Sequence, residues 1–521
     1  MSFRISRVVT VSFSCKILDW TDLNMTKRLV LGLPLAALAA AGCSDRDVER
    51  PNILLIVADD LGMGDVSAYG SHTIHTPHID SLAKAGIRFD NAYATSATST
   101  PSRYGMFTGM YPWRDKGVAI LNGDAPLLIP TQMPTFPKML QEAGYSTAAI
   151  GKWHLGMGDG NVDWNQQISP SANAVGFDYT CVIAATNDRV PTVYVEDGLV
   201  EGLDPSDPIR VSYSTNFEGE PTALTNPEML KMKWHHGHNN SIVNGIPRIG
   251  FMAGGEKARW VDEDMAYYFV NKVKKYIDSC GEDPFFLYYG LHQPHVPRAP
   301  HQRFEGSTTM GPRGDAVVEA DWCVGEVLSY LRSKGLLENT LVIFTSDNGP
   351  VLNDGYCDDA VEKLGEHDPI NGMRGGKYSL FDGGTHVPFI LSWHDKVQAG
   401  VSDAFVSQLD LFASLGKLVG GNVPEGLDSR QVLPALLGRS DEGREDMVLE
   451  AQGRLAYKNG DYVIIPPYNG RKTNTTGNEL GNLPDWAVYN ISADPHQDEN
   501  IADKDSTLLF EMQSLFDAAK R

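Results

Sequence analysis

Four short apolar runs, each ending abruptly in polar residues, set the rhythm of this chain. Residues 53–57 are continuously apolar, the pattern of a strand covered on both faces of a parallel sheet, and they stop at Asp59-Asp60. Residues 146–150 run into Gly151-Lys152-Trp153-His154, and residues 285–289 into Leu291-His292-Gln293-Pro294-His295. Residues 341–344 run into Ser346-Asp347-Asn348-Gly349. Helical periodicity fills the gaps. Thr76-Pro77 offers an N-cap and a first-turn proline to a helix carrying Ile79, Leu82, Ala83 and Ile87, with Gly86 in the C-cap region. Residues 262–277 and 315–334 read as amphipathic helices. This alternation predicts an α/β fold: a large mixed, mostly parallel sheet flanked by helices, with its ligand site beyond the strand C-termini.

Residues 161–254 lack periodicity and are too long for an ordinary connection, so they are expected to form an insertion lining the site. After about residue 400 the texture changes. A helical patch at 410–419 is followed by short strand-like runs at 446–449, 454–458, 462–465 and 486–490, then a closing helix at 507–520. The expected organisation is a catalytic domain over 51–400 and a smaller C-terminal domain over 401–521, built on an antiparallel sheet. No internal repeat stands out.

The first fifty residues carry a different pattern. From Met25 the chain reads Met-Thr-Lys-Arg, an apolar run to Ala41, then Gly42-Cys43-Ser44. Cations, an apolar run too short to span a bilayer and a small-residue site form a signal peptide. Ala-Ala-Gly-Cys resembles a bacterial lipobox, which implies a mature chain starting at lipidated Cys43, a linker over 44–50, and a mis-called start over 1–24. The protein is expected in the bacterial cell envelope, periplasmic or on the outer membrane, held by a lipid anchor only. Cys181, Cys280, Cys323 and Cys357 contain no CxxC, which argues against a zinc cluster and leaves a disulfide or free thiols open.

With 42% hydrophobic and 21% charged residues the composition is that of a globular protein. Its net charge of -22 argues against a nucleic-acid surface, and an anionic substrate would need cations concentrated locally in a pocket.

Asp59, Asp60, Asp347 and Asn348 offer only oxygen donors at two strand ends, which suits Ca²⁺ or Mg²⁺ rather than zinc. Ser99-Thr100-Pro101-Ser102-Arg103 places Ser99 at the amino end of a helix, a favourable place for an anion, with Arg103 one turn on.

Ser-x-Pro-Ser-Arg followed by Thr108-Gly109 resembles the signature of type I sulfatases of the alkaline phosphatase superfamily. Supporting segments stand in the family's order: residues 52–64 with the Asp pair, Gly151-Lys152-Trp153-His154-Leu155-Gly156, the His292 segment, Ser346-Asp347-Asn348-Gly349, and Arg374-Gly375-Gly376-Lys377. The resemblance spans roughly residues 51–393. It implies that Ser99 is oxidised to formylglycine, whose hydrate attacks sulfur with one hydroxyl and expels sulfate with the other. It also implies one Ca²⁺ held by Asp59, Asp60, Ser99, Asp347 and Asn348. Arg103, Lys152, His154 and Lys377 would bind the sulfate oxygens, and His292 would protonate the leaving alcohol, with His295 as its alternative. A serine at position 99 further implies a serine-type sulfatase-maturing enzyme as partner.

The polar insertion points to a sulfated carbohydrate, its resemblance to stretches of bacterial sulfatases acting on galactose-containing glycans implies a galactose sulfate, and Arg189, His235 and His236 are the candidate sugar contacts. Two other readings compete. A phosphoester hydrolase of the same superfamily would need a second metal set, which the sequence lacks, and a non-catalytic glycan-binding lipoprotein would not need the full cationic set.

Overall fold

A computed structural model describes residues 50–521. The signal peptide, the lipobox and Cys43 lie outside the described residues. The first strand, Asn52–Ala58, is buried along its whole length because layers cover both of its faces. Ile53, Leu55 and Val57 join a core with Met106, Phe107, Met139 and Leu415, drawn from the helices Ser99–Thr108, Phe136–Glu142 and Leu411–Val419. Leu54 and Ile56 point the other way, into a core with Ile79, Phe269 and Val324 from the helices Pro77–Ala85, Met265–Ser279 and Gly311–Ser333. Alternate side chains of one strand therefore feed two cores, which is why the sequence shows a continuous apolar run.

The strand lies near the middle of a ten-stranded sheet. Five central strands are parallel, in the order Thr340–Ser346, Asn52–Ala58, Phe285–Gly290, Ser146–Lys152 and Tyr179–Ile183. Antiparallel pairs join Phe389–Ser392 and Val195–Glu196 to the two flanks. The register pairs Val57 with both Gly290 and Thr345, and Gly290 with Gly151. The loops beginning at Asp59, Leu291, Trp153 and Asp347 thus emerge together along one edge.

Gly86 differs from the expectation. It is extended rather than a left-handed cap, and a Cβ there would meet the Leu391 carbonyl at 2.1 Å. The glycine is required by the close approach of the chain to the neighbouring strand.

Residues 161–254 are not wholly the expected insertion: Tyr179–Ile183 is the fifth parallel strand of the large sheet, and Val195–Glu196 and Leu199–Val200 continue that sheet, while the rest of the segment holds short strands and 3₁₀ turns among the described residues. Gly400–Ser402 still adds an edge strand to the large sheet. A separate antiparallel sheet follows, in the order Asp446–Ala451, Arg454–Asn459, Tyr462–Ile465 and Ala487–Asn490. The Ser506–Ala519 helix packs on it through Met512 and Phe516. Cys181, Cys280, Cys323 and Cys357 are free thiols, so no disulfide links the described residues. Among them no helix is long and apolar enough to cross a membrane.

Candidate active site

Ser99 opens the Ser99–Thr108 helix, which is buried along its whole length and carries Arg103 one turn further in. Lys152 Nζ donates to Ser99 Oγ at 2.7 Å. Asp59 Oδ1 and Asn348 Oδ1 lie 3.3 and 3.4 Å from the same hydroxyl. The Asp59–Asp60 turn is held by the Asp347 loop: Asp60 N–H donates to Asp347 Oδ1 at 3.3 Å, and Asn348 Nδ2 donates to Asp60 Oδ1 at 2.8 Å. Asp60 has φ 63°, a left-handed backbone in which short polar side chains are enriched.

Three buried cations surround the acidic set. Arg103 grips Asp347 Oδ2 through Nε at 2.9 Å and Nη2 at 2.7 Å, and its Nη1 donates to the Tyr288 hydroxyl. Lys152 Nζ stands 2.6 Å from Asp59 Oδ2. Lys377 Nζ bridges Asp60 Oδ2 at 2.8 Å and Asp354 Oδ2 at 2.7 Å, and the Tyr378 hydroxyl donates to Asp354 at 3.1 Å. Burial works against the Lys377 charge, yet Asp354 and Asp60 hold it well above the ordinary lysine range. For Lys152 burial prevails over Asp59 and Asp347 and lowers it, and burial pushes Asp59 up to about 8 against the pull of Lys152.

These residues fit a hard divalent cation. Asp59 Oδ2 is fully buried and, despite its nearness to Lys152, makes no hydrogen bond. Asp59, Asp60 and His295 bring ligand atoms within 4.8 Å of one another, and the Ser99, Asp347 and Asn348 oxygens adjoin the same carboxylates. Counted at formal charge, four carboxylates (Asp59, Asp60, Asp347 and Asp354) face three cations and leave one negative charge uncompensated, a crowding that adds to burial in pushing Asp59 up. A dication would turn that negative charge into one positive charge, equal and opposite to the charge of a sulfate monoester. The other acidic group among the described residues is Cys181, Glu196 and Glu201. It does not line this cleft, and Lys272 Nζ already pairs with both of its glutamates.

The cleft around Ser99 has a volume of about 340 Å³. His154 lines it with Ser99. Its Nε2 lies 3.1 Å from the Leu121 carbonyl, which can only accept, so the ring proton sits on Nε2. Nδ1 is then an unpartnered lone pair, and burial followed by the Lys152 charge holds the ring neutral, well below the usual histidine range.

The structure does not bring His292 to this cleft. His292 lines a separate small cavity with Asp262, Gln293 and Glu319, and burial lowers it to about 4. His295 lines both that cavity and the Ser99 cleft. Its Nδ1 is 2.6 Å from the Val296 carbonyl and its Nε2 is 3.8 Å from Asp60 Oδ2, so only Nε2 is free to exchange a proton. The two histidines are three residues apart, and only the folded loop shows which one enters the site.

Arg189 and His236 line the cleft, whereas His235 is exposed and is not among its walls. Arg189 Nη1 pairs with Asp188 Oδ1 at 2.8 Å, and His238 Nε2 meets Asp188 Oδ2 at 2.8 Å. Arg189 and His238 keep Asp188 ionised well below the usual carboxylate range although burial opposes it. Sequence reasoning missed Asp188 as a site residue, although it lies inside the segment singled out around Arg189. It also missed Asp354, Tyr378 and His238. The small C-terminal sheet adds Gln452, Asn474, Thr475 and Thr476 to the far wall, contacts with no motif around them.

The sulfatase family profile matches residues 51–421. The chain is 47% identical over 509 residues to an N-acetylgalactosamine-6-O-sulfatase of Bacteroides thetaiotaomicron, covering 95% of this chain and 99% of that relative. It is 32% identical over 429 residues to the steryl-sulfatase of Homo sapiens, covering 77% of this chain and 72% of that one. A solved Bacteroides thetaiotaomicron structure, described in terms of the metabolism of multiple glycosaminoglycans, superposes with a TM-score of 0.89 at 48% identity. That match covers 91% of this chain and 99% of the other.

Proposed function

The chain belongs to the sulfatase family and is a sulfuric ester hydrolase, and we propose that it removes the sulfate of a carbohydrate ester, with N-acetylgalactosamine 6-sulfate as its substrate. The sugar assignment is supported by the near full-length match to a relative with that name. The chemistry is supported by one observation above the rest: the Ser99 hydroxyl sits where a buried lysine and the Asp59–Asn348 oxygens converge.

In this reading Ser99 is converted to formylglycine, whose hydrate supplies two hydroxyls on one carbon, one to attack sulfur and one to expel sulfate. Asp59, Asp60, Asp347, Asn348 and residue 99 would hold a Ca²⁺, whose positive charge would polarise a sulfate oxygen and acidify the attacking hydroxyl. Lys152 holds the oxygen of residue 99 in place and offers charge to the transferring sulfate. His154 Nδ1, an unpartnered lone pair on a ring that lines the cleft, accepts the hydroxyl proton. His295 Nε2 takes up a proton as the anionic ester enters, against the burial and the Lys377 charge that hold its ring below the usual histidine range, and passes that proton to the departing sugar oxygen while Nδ1–H stays on the Val296 carbonyl. Arg103 and Lys377 neutralise Asp347 and Asp60 and keep their carboxylates oriented. Arg189, held by Asp188, and His236 and His238 contact the sugar hydroxyls. Export to the bacterial envelope, lipid anchoring at Cys43 and maturation by a serine-type sulfatase-maturing enzyme complete the proposal.

The test is to produce the chain from Ser44 onward together with a serine-type maturase and to weigh the peptide containing Ser99. Conversion removes two hydrogens, a loss of about 2 Da, and creates the reactive aldehyde. Sulfate release is then assayed on N-acetylgalactosamine 6-sulfate and its positional isomers. An unchanged Ser99 beside a control protein that converts would refute the mechanism. Release from a different isomer would refute the sugar assignment alone.

A further inference from the structure

Between the last two strands of the C-terminal sheet the chain runs out as an arm over residues 466–486. The arm closes on itself as an antiparallel loop. Tyr468 N–H donates to the Leu483 carbonyl at 2.8 Å, Leu480 N–H to the Lys472 carbonyl at 2.7 Å, and Asn474 N–H to the Asn478 carbonyl at 3.1 Å. Thr473 and Glu479 form a β-bridge between them. Asn474, Thr475 and Thr476 carry the tip into the Ser99 cleft, and Asn478 Nδ2 donates to the Lys377 carbonyl at 3.0 Å. Arg454 fastens the arm, donating to the Leu480 carbonyl at 2.7 Å and to the Tyr378 carbonyl at 2.8 Å. The arm is therefore anchored to the two residues, Lys377 and Tyr378, that surround Asp354 in the cleft.

The outer part of the arm has a chemistry out of keeping with the chain. The protein carries a net charge of -22, yet Arg471 and Lys472 stand next to each other, both exposed, and no ion pair engages either among the described residues. Tyr468 is 50% exposed, with the Arg454 guanidinium 5.8 Å from its ring centre. Even a fully extended segment advances only about 3.3 Å per residue, so the two cations stand within about 10 Å of Asn474, where the tip begins. A sugar linked to the one in the cleft would reach that far. Cations recognise carboxylate or sulfate groups, and an exposed aromatic face packs against the C–H face of a sugar ring.

We propose that this arm is the binding surface for the sugar next to the one being desulfated, and that Arg471 and Lys472 recognise an anionic group on that neighbour. The proposal rests on the carbohydrate reading of the cleft. It predicts that the enzyme prefers chains with a carboxylate- or sulfate-bearing neighbour over the free monosaccharide.

The experiment compares the matured wild type with Arg471→Ala/Lys472→Ala on four substrates. These are the sulfated monosaccharide and three oligosaccharides in which its neighbour is neutral, carboxylated or sulfated. The variant is expected to match the wild type within twofold on the monosaccharide and on the neutral chain. On the chain with the recognised anion its kcat/KM falls about five- to tenfold, the scale of two exposed ion pairs, and salt erases the difference. The carboxylated and sulfated chains tell which anion is read. The single variants report which of the two cations carries the recognition. An equal loss on the monosaccharide, or no loss on either anionic chain, overturns the proposal. A wild type that releases sulfate from none of the four overturns the carbohydrate reading itself, a failure distinct from that of the arm.

Discussion

Replacing His295 with alanine removes the ring nitrogen that the cleft presents to a leaving group. His295 is 4% exposed and its Nδ1 proton is committed to Val296, so Nε2 alone exchanges a proton with the substrate, and burial leaves little water to replace it. General acid catalysis is typically worth about 10²–10⁴ in rate. At about 1.4 kcal/mol per tenfold, the variant is expected to lose about 3–5 kcal/mol of transition-state stabilisation on a sugar sulfate, whose alkoxide is a poor leaving group. An aryl sulfate with an acidic phenol needs no such help and should be cleaved at nearly the wild-type rate. The assay is kcat for both substrate types in His295→Ala and His292→Ala, each matured and carrying Ca²⁺. His292 faces Asp262 in the neighbouring cavity, so its variant should lose little kcat on either substrate. Equal losses of His295→Ala on sugar and aryl sulfates would refute the acid role. A leaving-group-dependent loss in His292→Ala would return that role to His292.

Chelation with EGTA should abolish turnover and lower Tm by at least about 2 °C, with Ca²⁺ restoring both, because a ligand bound only by the folded state stabilises it; a calorimetric Tm indifferent to EGTA would remove the metal from the site. Asp354→Asn should lower kcat more than it raises KM, because Lys377 and Tyr378 lose the carboxylate that positions them and a charge-assisted hydrogen bond is worth about 1.5–3 kcal/mol; steady-state kinetics on the sulfated sugar decides it. Arg313 grips Asp65 through two bonds of 2.7 and 2.8 Å in a site shared with His367. Arg313→Ala should destabilise the fold by about 3–5 kcal/mol by leaving a buried charge unpaired, as denaturant unfolding would show. Burial opposes the Asp65 charge, but Arg313 and His367 hold its folded pKa below the usual carboxylate value. The stability it contributes in the wild type is therefore present above about pH 4 and lost as the pH falls below that value. The penalty of Arg313→Ala should accordingly shrink in acid, and a Tm deficit independent of pH between 3 and 7 would contradict this.

Much of this protein is written locally. Residues 53–57 announce a buried central strand because covering both faces of a strand demands apolar side chains at every position. Asp59-Asp60, the Ser99 helix start, Lys152-His154 and Asp347-Asn348 were legible as a site because each sits on a short contiguous segment directly after a strand or at a helix start. Parallel register then aligns those segments on one edge. What the chain could not disclose are contacts between segments with no common pattern. Asp354 reaches Lys377 across a loop, Asp188 finds His238 fifty residues on, and the arm from the C-terminal sheet brings Asn474 to Thr476 into the cleft. The choice between His292 and His295 was closed to sequence for the same reason. Both are histidines on one loop, and only the packing of that loop against Asp60 and Asp262 decides which ring faces Ser99. Residue type and short-range spacing determined the kind of chemistry, and the burial of distant segments against one another decided which side chains take part in it.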